Sequence, residues 1–322
     1  MISETCKRSG NGSAPLAATV PLRINLNYGG NMLNKNNKIG VLMLLPALIL
    51  LVILIVYPFV RTVHLSFLSQ KIYQSSGKWV GFANYTRMLG SADFWESFGL
   101  SIVWTVANVV GQTVFGIITA LLLNRKFVGR TLARGLSLLP FFMPAVAMML
   151  MWRWMLNDSY GIINSVLTQL KFTAQPIGWL STTALAMPTV IFVSIWRYTP
   201  FVTMNVLSKM QTIPQELYEA AEIDGASKWQ EFWSITLPSI MDVLKIVIVL
   251  RVIFMFKKVD EILLLTGGGP GTSTTILPLY TYKNTFESMQ MGRGAASAIL
   301  LMIFIFALMS IYFKLFEKEE TE

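Results

Sequence analysis

Residues 216–238 read ELYEAAEIDGASKWQEFWSITLP. They hold Glu216, Glu219, Glu222, Asp224 and Glu231, in a 322-residue chain that is 54% hydrophobic with a mean hydropathy of +0.56. Carboxylates at this density cannot lie in hydrocarbon, where each ionised group is costly. The stretch is therefore either a solvated loop or a surface that meets a partner. Which of the two it is decides what kind of protein surrounds it.

Outward from this stretch the chain is apolar. Charged residues make up 13% of it, against about 25% for a soluble domain. A helix needs roughly 20 apolar residues to cross a bilayer. Six segments meet that length, at about 39–60, 100–123, 136–155, 184–206, 240–265 and 296–313. The alternating strands of a membrane barrel are absent. The expected fold is an all-α polytopic membrane protein with six transmembrane helices. Residues 1–38 read as a disordered cytoplasmic tail, 39–316 as the six-span domain with a cytoplasmic loop at 208–238, and 317–322 as a short cytoplasmic tail. Met32, ahead of the basic LNKNNKIG, is an alternative start. The single Cys6 excludes an intrachain disulfide, and the single His64 argues against a zinc site, so no metal and no cofactor is expected.

The net charge of +9 reads as topology rather than nucleic-acid binding. The N-terminal tail carries Lys7, Arg8, Arg23, Lys35 and Lys38, and the short loop NRKFVGRTLARG carries Arg125, Lys126, Arg130 and Arg134 with no acid. Both belong in the cytoplasm by the positive-inside rule. With six spans, residues 216–238 and both termini fall on the same side.

The stretch parses as two short helices. Thr212 and Gln215 are spaced as a capping box with Pro214 in the first turn, and Gly225 offers a C-terminal stop. Ser227 and Gln230 repeat the capping-box spacing for a second helix, and Pro238 opens the next span. Leu217, Ala220, Ala221 and Asp224 share a narrow face that another protein could approach closely.

EAAEIDGA, followed downstream by Ile235, Leu237 and Pro238, resembles the EAA loop of ABC importer permeases. The matching positions are Glu219, Ala220, Ala221, Asp224, Gly225, Ile235, Leu237 and Pro238. WVGFANY, LPFFMPAV, NDSYGIIN, WRYTPF, LLLTGGGPGTSTTILPLYTYKNTF and GRGAASAILL extend the resemblance over nearly all of the chain after residue 38. They resemble carbohydrate-uptake permeases of the maltose and glycerol-phosphate type, the plainer six-span members more than the maltose system's larger subunit. The resemblance implies a subunit of the bacterial inner membrane. Its partners would be a second homologous permease, a cytoplasmic ABC ATPase dimer and an extracytoplasmic solute-binding protein. It also implies that the EAA helix seats in the ATPase and that rigid-body motion there moves the spans. Glu219 would face a basic residue, the two alanines would permit close seating, and Gly225 would allow the turn.

The chain itself is not expected to be an enzyme. Its one Gly-Lys pair, Gly77–Lys78, is followed by Trp79 and has Ile72 where a phosphate-binding loop needs Gly. ATP hydrolysis is therefore expected from a separate subunit.

Charges within spans, costing roughly 2.5–3.5 kcal/mol each on insertion scales, point toward cavities or partners. Arg197, Arg251 and Lys258 are of this kind. Positions matching the maltose-type cavity pattern are Phe141, Ala145, Ser194, Trp196, Arg197, Tyr198, Phe201, Arg251, Met255 and Lys258. Aromatic faces suit the C–H surface of a pyranose, and polar groups suit its hydroxyls. The chain departs from the pattern by placing cations there, which favours a polar or acidic solute such as a uronic, phosphorylated or sulfonated sugar. A gradient-driven secondary transporter is the alternative. It would leave residues 216–238 unexplained, and no inverted repeat relates the two halves.

Overall fold

The computed structural model describes residues 35–317. The remainder of the expected N-terminal tail, Cys6, the choice between Met1 and Met32, and residues 318–322 lie outside the described residues. Contacts divide the chain at Pro58 into two units. In the first, α1 (Lys35–Leu51) carries Pro46 and leads into a single π turn, Val52–Val56. Helix α2 (Tyr57–Ser66) follows. Every side chain from Leu42 to Val60 is exposed, and nearly all are apolar, as a lipid-facing span requires.

In the second unit, β1 (Leu68–Ser69) pairs antiparallel with β2 (Lys78–Trp79), and α3 (Ala83–Leu89) follows. The buried Asn84 ties this corner together, donating to the carbonyls of Ser66 at 2.9 Å and Leu68 at 3.0 Å.

The centre is α4 (Ala92–Asn124) against α8 (Thr183–Met210). Their backbones approach where Gly116 faces Val202: a Cβ at Gly116 would lie 2.6 Å from that of Val202. Close seams of this kind supply the dispersion that holds membrane helices together when lipid offers no hydrophobic drive. Pro188 and Pro200 interrupt the α8 ladder. Thr199 and Thr203 there donate back to the Ile195 and Thr199 carbonyls at 2.7 and 3.0 Å.

The expected span at 136–155 is two helices, α5 (Arg130–Phe142) and α6 (Ala145–Met155), bent by 93°. Pro144 is the cause: the residue before a proline is driven to extended backbone, and Met143 has ψ 139°. After the short α7 (Ile162–Gln169) and α8 come α9 (Gln215–Ile223) and α10 (Lys228–Glu231). Helix α11 (Leu237–Phe256) packs on both α4 and α8. The expected span at 240–265 is likewise not one helix. It breaks at 257–259 before α12 (Asp260–Leu265), which packs on α6. Helices α13 (Leu277–Tyr282) and α14 (Met291–Glu317) complete the chain.

Among the described residues, four helices are long and apolar enough to cross a membrane: Leu42–Ser66, Ala92–Asn124, Thr183–Met210 and Met291–Lys314. The bent α5–α6 pair makes a fifth if it is one span. The remaining expected span, the fifth at 240–265, is represented by α11, which carries Asp242, Lys245 and Arg251 and is too charged to count by composition.

Candidate functional site

Where α4, α8, α11 and α12 converge, the apolar core gives way to a buried polar cluster. Arg251 of α11 is 3% exposed and donates from Nε to Gln112 Oε1 of α4 at 2.6 Å. Its guanidinium lies 4.6 Å from the Tyr198 ring centre and 5.5 Å from that of Phe201. Ring faces and an amide thus replace the water a buried cation loses. Gln112 is held in turn by Asn108, to whose Oδ1 it donates at 3.1 Å. Trp104 anchors the end of α11 by donating to the Met255 carbonyl at 3.0 Å.

On α8, the Tyr198 hydroxyl donates to Glu261 Oε1 at 2.6 Å, and Arg197 Nη1 lies 3.7 Å from the same oxygen. Arg197 also donates from Nη2 to the Met143 carbonyl, at the bend between α5 and α6. Lys258 pairs with Asp260 at 2.8 Å and lies over the Tyr198 ring at 5.9 Å.

Of the residues expected to line a pathway, Phe141, Ser194, Arg197, Tyr198, Phe201, Arg251, Met255 and Lys258 meet in this cluster. The Phe141 ring is 6.1 Å from Phe201 and 6.3 Å from Tyr198. Ser194 Oγ donates to Met255 Sδ at 3.9 Å. Ala145 opens α6 just past the bend. Trp196 points elsewhere. It lies edge-on to Trp152 and lines an apolar groove of about 930 Å³ with Met143, Phe192 and Pro200.

The sequence reading missed Glu261, Gln112 and Asn108. Glu261 is fully buried, and its signal was an acid leading straight into the apolar ILLL of α12. Glu261 faces Arg197 at 3.7 Å and Asp260 pairs with Lys258 at 2.8 Å, so two of the three cations have an acid beside them within this chain.

The second candidate element is the α9–α10 pair. Gly225 has φ +77°, the left-handed conformation that glycine adopts most easily. The amides of Gly225 and Ala226 donate to the Glu222 and Ala221 carbonyls at 3.1 and 2.9 Å, a complete Schellman closure of α9. Ser227 and Gln230 form the expected capping box. Thr212 does not cap α9. Its hydroxyl donates back to the Lys209 carbonyl at 2.8 Å, and Pro214 occupies the N-cap position. Tyr218 ties the pair to the foot of α11 through Thr236 Oγ1 at 2.9 Å. Glu219, Ala220 and Asp224 are exposed, and Ala221 is half-buried. Leu237 and Pro238 open α11. Glu219 and Ala220 share a face with Ile223, which is 87% exposed, and α10 adds Trp229 at 69%.

Lys228 joins the two helices, donating to Glu222 at 2.5 Å and to Glu231 at 2.9 Å. The hydrogen bond from Lys228 holds the Glu222 carboxyl below its ordinary 4.5, and the bond to Glu222 foremost raises Lys228 above 10.5. A depressed acid contributes above its ordinary value and is lost as pH falls through the lowered one. A raised lysine contributes below its ordinary value and is lost as pH rises through the raised one. The clasp is therefore complete between the two ordinary values, weakens outside them, and is lost once pH passes below the lowered Glu222 value or above the raised Lys228 value. A spin label at Ala226 is expected to stay immobile across neutral pH and to gain mobility in acid below the Glu222 range. Mobility that does not respond to acid would remove the clasp.

A family model described as "Binding-protein-dependent transport system inner membrane component" matches residues 112–320. The inner membrane ABC transporter permease protein YcjO of Escherichia coli is 37% identical over 270 residues, covering 83% of this chain and 90% of YcjO. The trehalose/maltose transport system permease protein MalF of Thermococcus litoralis is 35% identical over 280 residues, covering 87% and 94%. Among solved structures, a bacterial ABC transporter involved in the import of the acidic polysaccharide alginate matches with a TM-score of 0.78 and 22% identity. That match covers 88% of this chain and 96% of the other, and it shows a shared permease fold.

Proposed function

Because this chain belongs to the binding-protein-dependent inner membrane permeases, in their carbohydrate-uptake branch, we propose that it forms half of the channel of an ATP-driven importer for a sugar or sugar derivative. Residues 39–316 make one six-span domain, with α11 and α12 as its broken fifth span and both termini in the cytoplasm. A second homologous permease supplies the other half of the channel, and a solute-binding protein delivers solute from outside. A separate cytoplasmic ATPase dimer supplies the energy through α9 and α10.

One observation carries the coupling role. Ile223, 87% exposed, lies on the same helical face as Glu219 and Ala220. Leu217, Trp229 and Trp233 are also exposed on or next to the same helix pair, so the apolar surface here is a group rather than the scattered single side chain a solvated loop commonly shows. A docking face combines such features: an apolar contact for affinity, a small residue for close approach and a charge for orientation. Glu219, Ala220, Ala221, Asp224 and Gly225 make that face, and Leu237 and Pro238 pass its motion into α11. Phe141, Ala145, Ser194, Arg197, Tyr198, Phe201, Arg251, Met255 and Lys258 line the solute path. Trp196 is reassigned to the outer groove.

The test is to purify the tagged chain from its native operon in mild detergent and reconstitute it. The expected result is recovery of a second permease and an ATPase, with uptake that requires ATP. Solute movement by the unaccompanied chain without ATP would establish the gradient-driven carrier instead.

A further inference from the structure

We propose that Glu261 and Arg197 together read a solute hydroxyl, and that the solute is a neutral polyhydroxylated sugar rather than an acidic one. The inference rests on the importer reading and adds the substrate class. It starts from what the buried cluster leaves unmade. Arg197 is 7% exposed and Glu261 fully buried, yet Arg197 Nε and Nη1 and Glu261 Oε2 have no hydrogen-bond partner among the described residues. Such atoms are costly to leave unpaired, so they mark where a partner is missing. The other charges are engaged: Arg251 by Gln112 and two ring faces, and Lys258 by Asp260.

What remains is two donors and one acceptor on side chains 3.7 Å apart. A hydroxyl answers both kinds at once, its oxygen accepting from Arg197 and its hydrogen donating to Glu261 Oε2. A carboxylate, sulfonate or phosphate accepts from Arg197 but brings a negative charge against the oxygen of a fully buried carboxylate, where repulsion is stronger than in bulk water. Phe141, Tyr198 and Phe201 add apolar faces beside this pair, as a pyranose ring requires. The Tyr198 hydroxyl fixes the carboxylate from its other oxygen and keeps Oε2 turned free.

The experiment uses the complete importer in proteoliposomes. ATP-driven uptake is measured for a panel of neutral mono- and disaccharides and for their uronic, phosphorylated and sulfonated counterparts. Wild type is expected to take up a neutral member in preference, a readout that needs no variant. Glu261→Gln keeps an acceptor for Tyr198 but replaces Oε2 by a donor, and is expected to lower that uptake on the order of tenfold at limiting sugar. Glu261→Asp, which retains the carboxylate, is expected to recover part of the loss. Preference for an anionic member, or wild-type uptake by Glu261→Gln, overturns the proposal while leaving the importer reading intact. Uptake of no member of the panel tells against the importer reading itself.

Discussion

Glu219→Lys is expected to strip the ATPase from the purified assembly while the membrane helices remain folded. Glu219 is exposed, and among the described residues its side chain accepts a single hydrogen bond, from Gln215 Nε2 at 2.9 Å. Losing that bond costs the chain little, within roughly 0.5 kcal/mol for an exposed surface change. The cost falls on the partner. Reversing a charge that faces a cation across a desolvated contact costs about 2–5 kcal/mol. The ratio of ATPase to permease recovered should therefore fall at least tenfold, and ATP-driven uptake should fall with it. Melting of the detergent-purified chain should not change. Because Glu222 and Glu231 are already engaged by Lys228, they cannot stand in for Glu219. A normal ATPase ratio in the variant would reduce the α9–α10 pair to a solvated loop.

That pair also shows what the sequence could and could not tell. Gly225 and the Ser227–Gln230 box are local devices, fixed by residues within four positions of each other, and both appear where the spacing puts them. Thr212 was misread because its hydroxyl had a nearer acceptor in the Lys209 carbonyl, one turn back. The bend at Met143 was legible in principle from Pro144, but a 20-residue hydropathy window averages over it. The break at 257–259 has no comparable local cause in the sequence.

The polar cluster was legible residue by residue on α8 and α11, where arginines interrupt apolar helices. Glu261 was not, because its meaning lies in tertiary contacts with Tyr198 and Arg197, more than 60 positions away. Gln112 likewise becomes functional only through Arg251, 139 positions off. Periodicity and composition carry no information about which distant charges a fold will bring together.

The same distinction governs Gly292→Ala, where local propensity and tertiary structure predict opposite signs. Gly292 lies in the first turn of α14, and alanine in a helix is favoured over glycine by roughly 1 kcal/mol. In the fold, a Cβ at Gly292 would fall 1.9 Å from the Leu68 carbonyl oxygen, and its third neighbour is Asn84 Nδ2 at 3.3 Å. Neither atom can step aside freely. Leu68 is held in register opposite Trp79, its carbonyl accepts from Asn84 at 3.0 Å, and the Gly292 amide itself donates to the Gln70 carbonyl at 3.2 Å. Relief requires the β1–α14 corner to open, a backbone shift whose cost is roughly 3 kcal/mol, at the upper end for overpacking. The purified assembly is expected to melt about 5–10 °C lower. Gly99→Ala in α4 is the paired control, since a Cβ there meets nothing within 4 Å and the helical gain acts alone. If both variants melt at or above wild type, the corner is pliable. The Asn84 bonds would then follow the shifted strand rather than hold it in place.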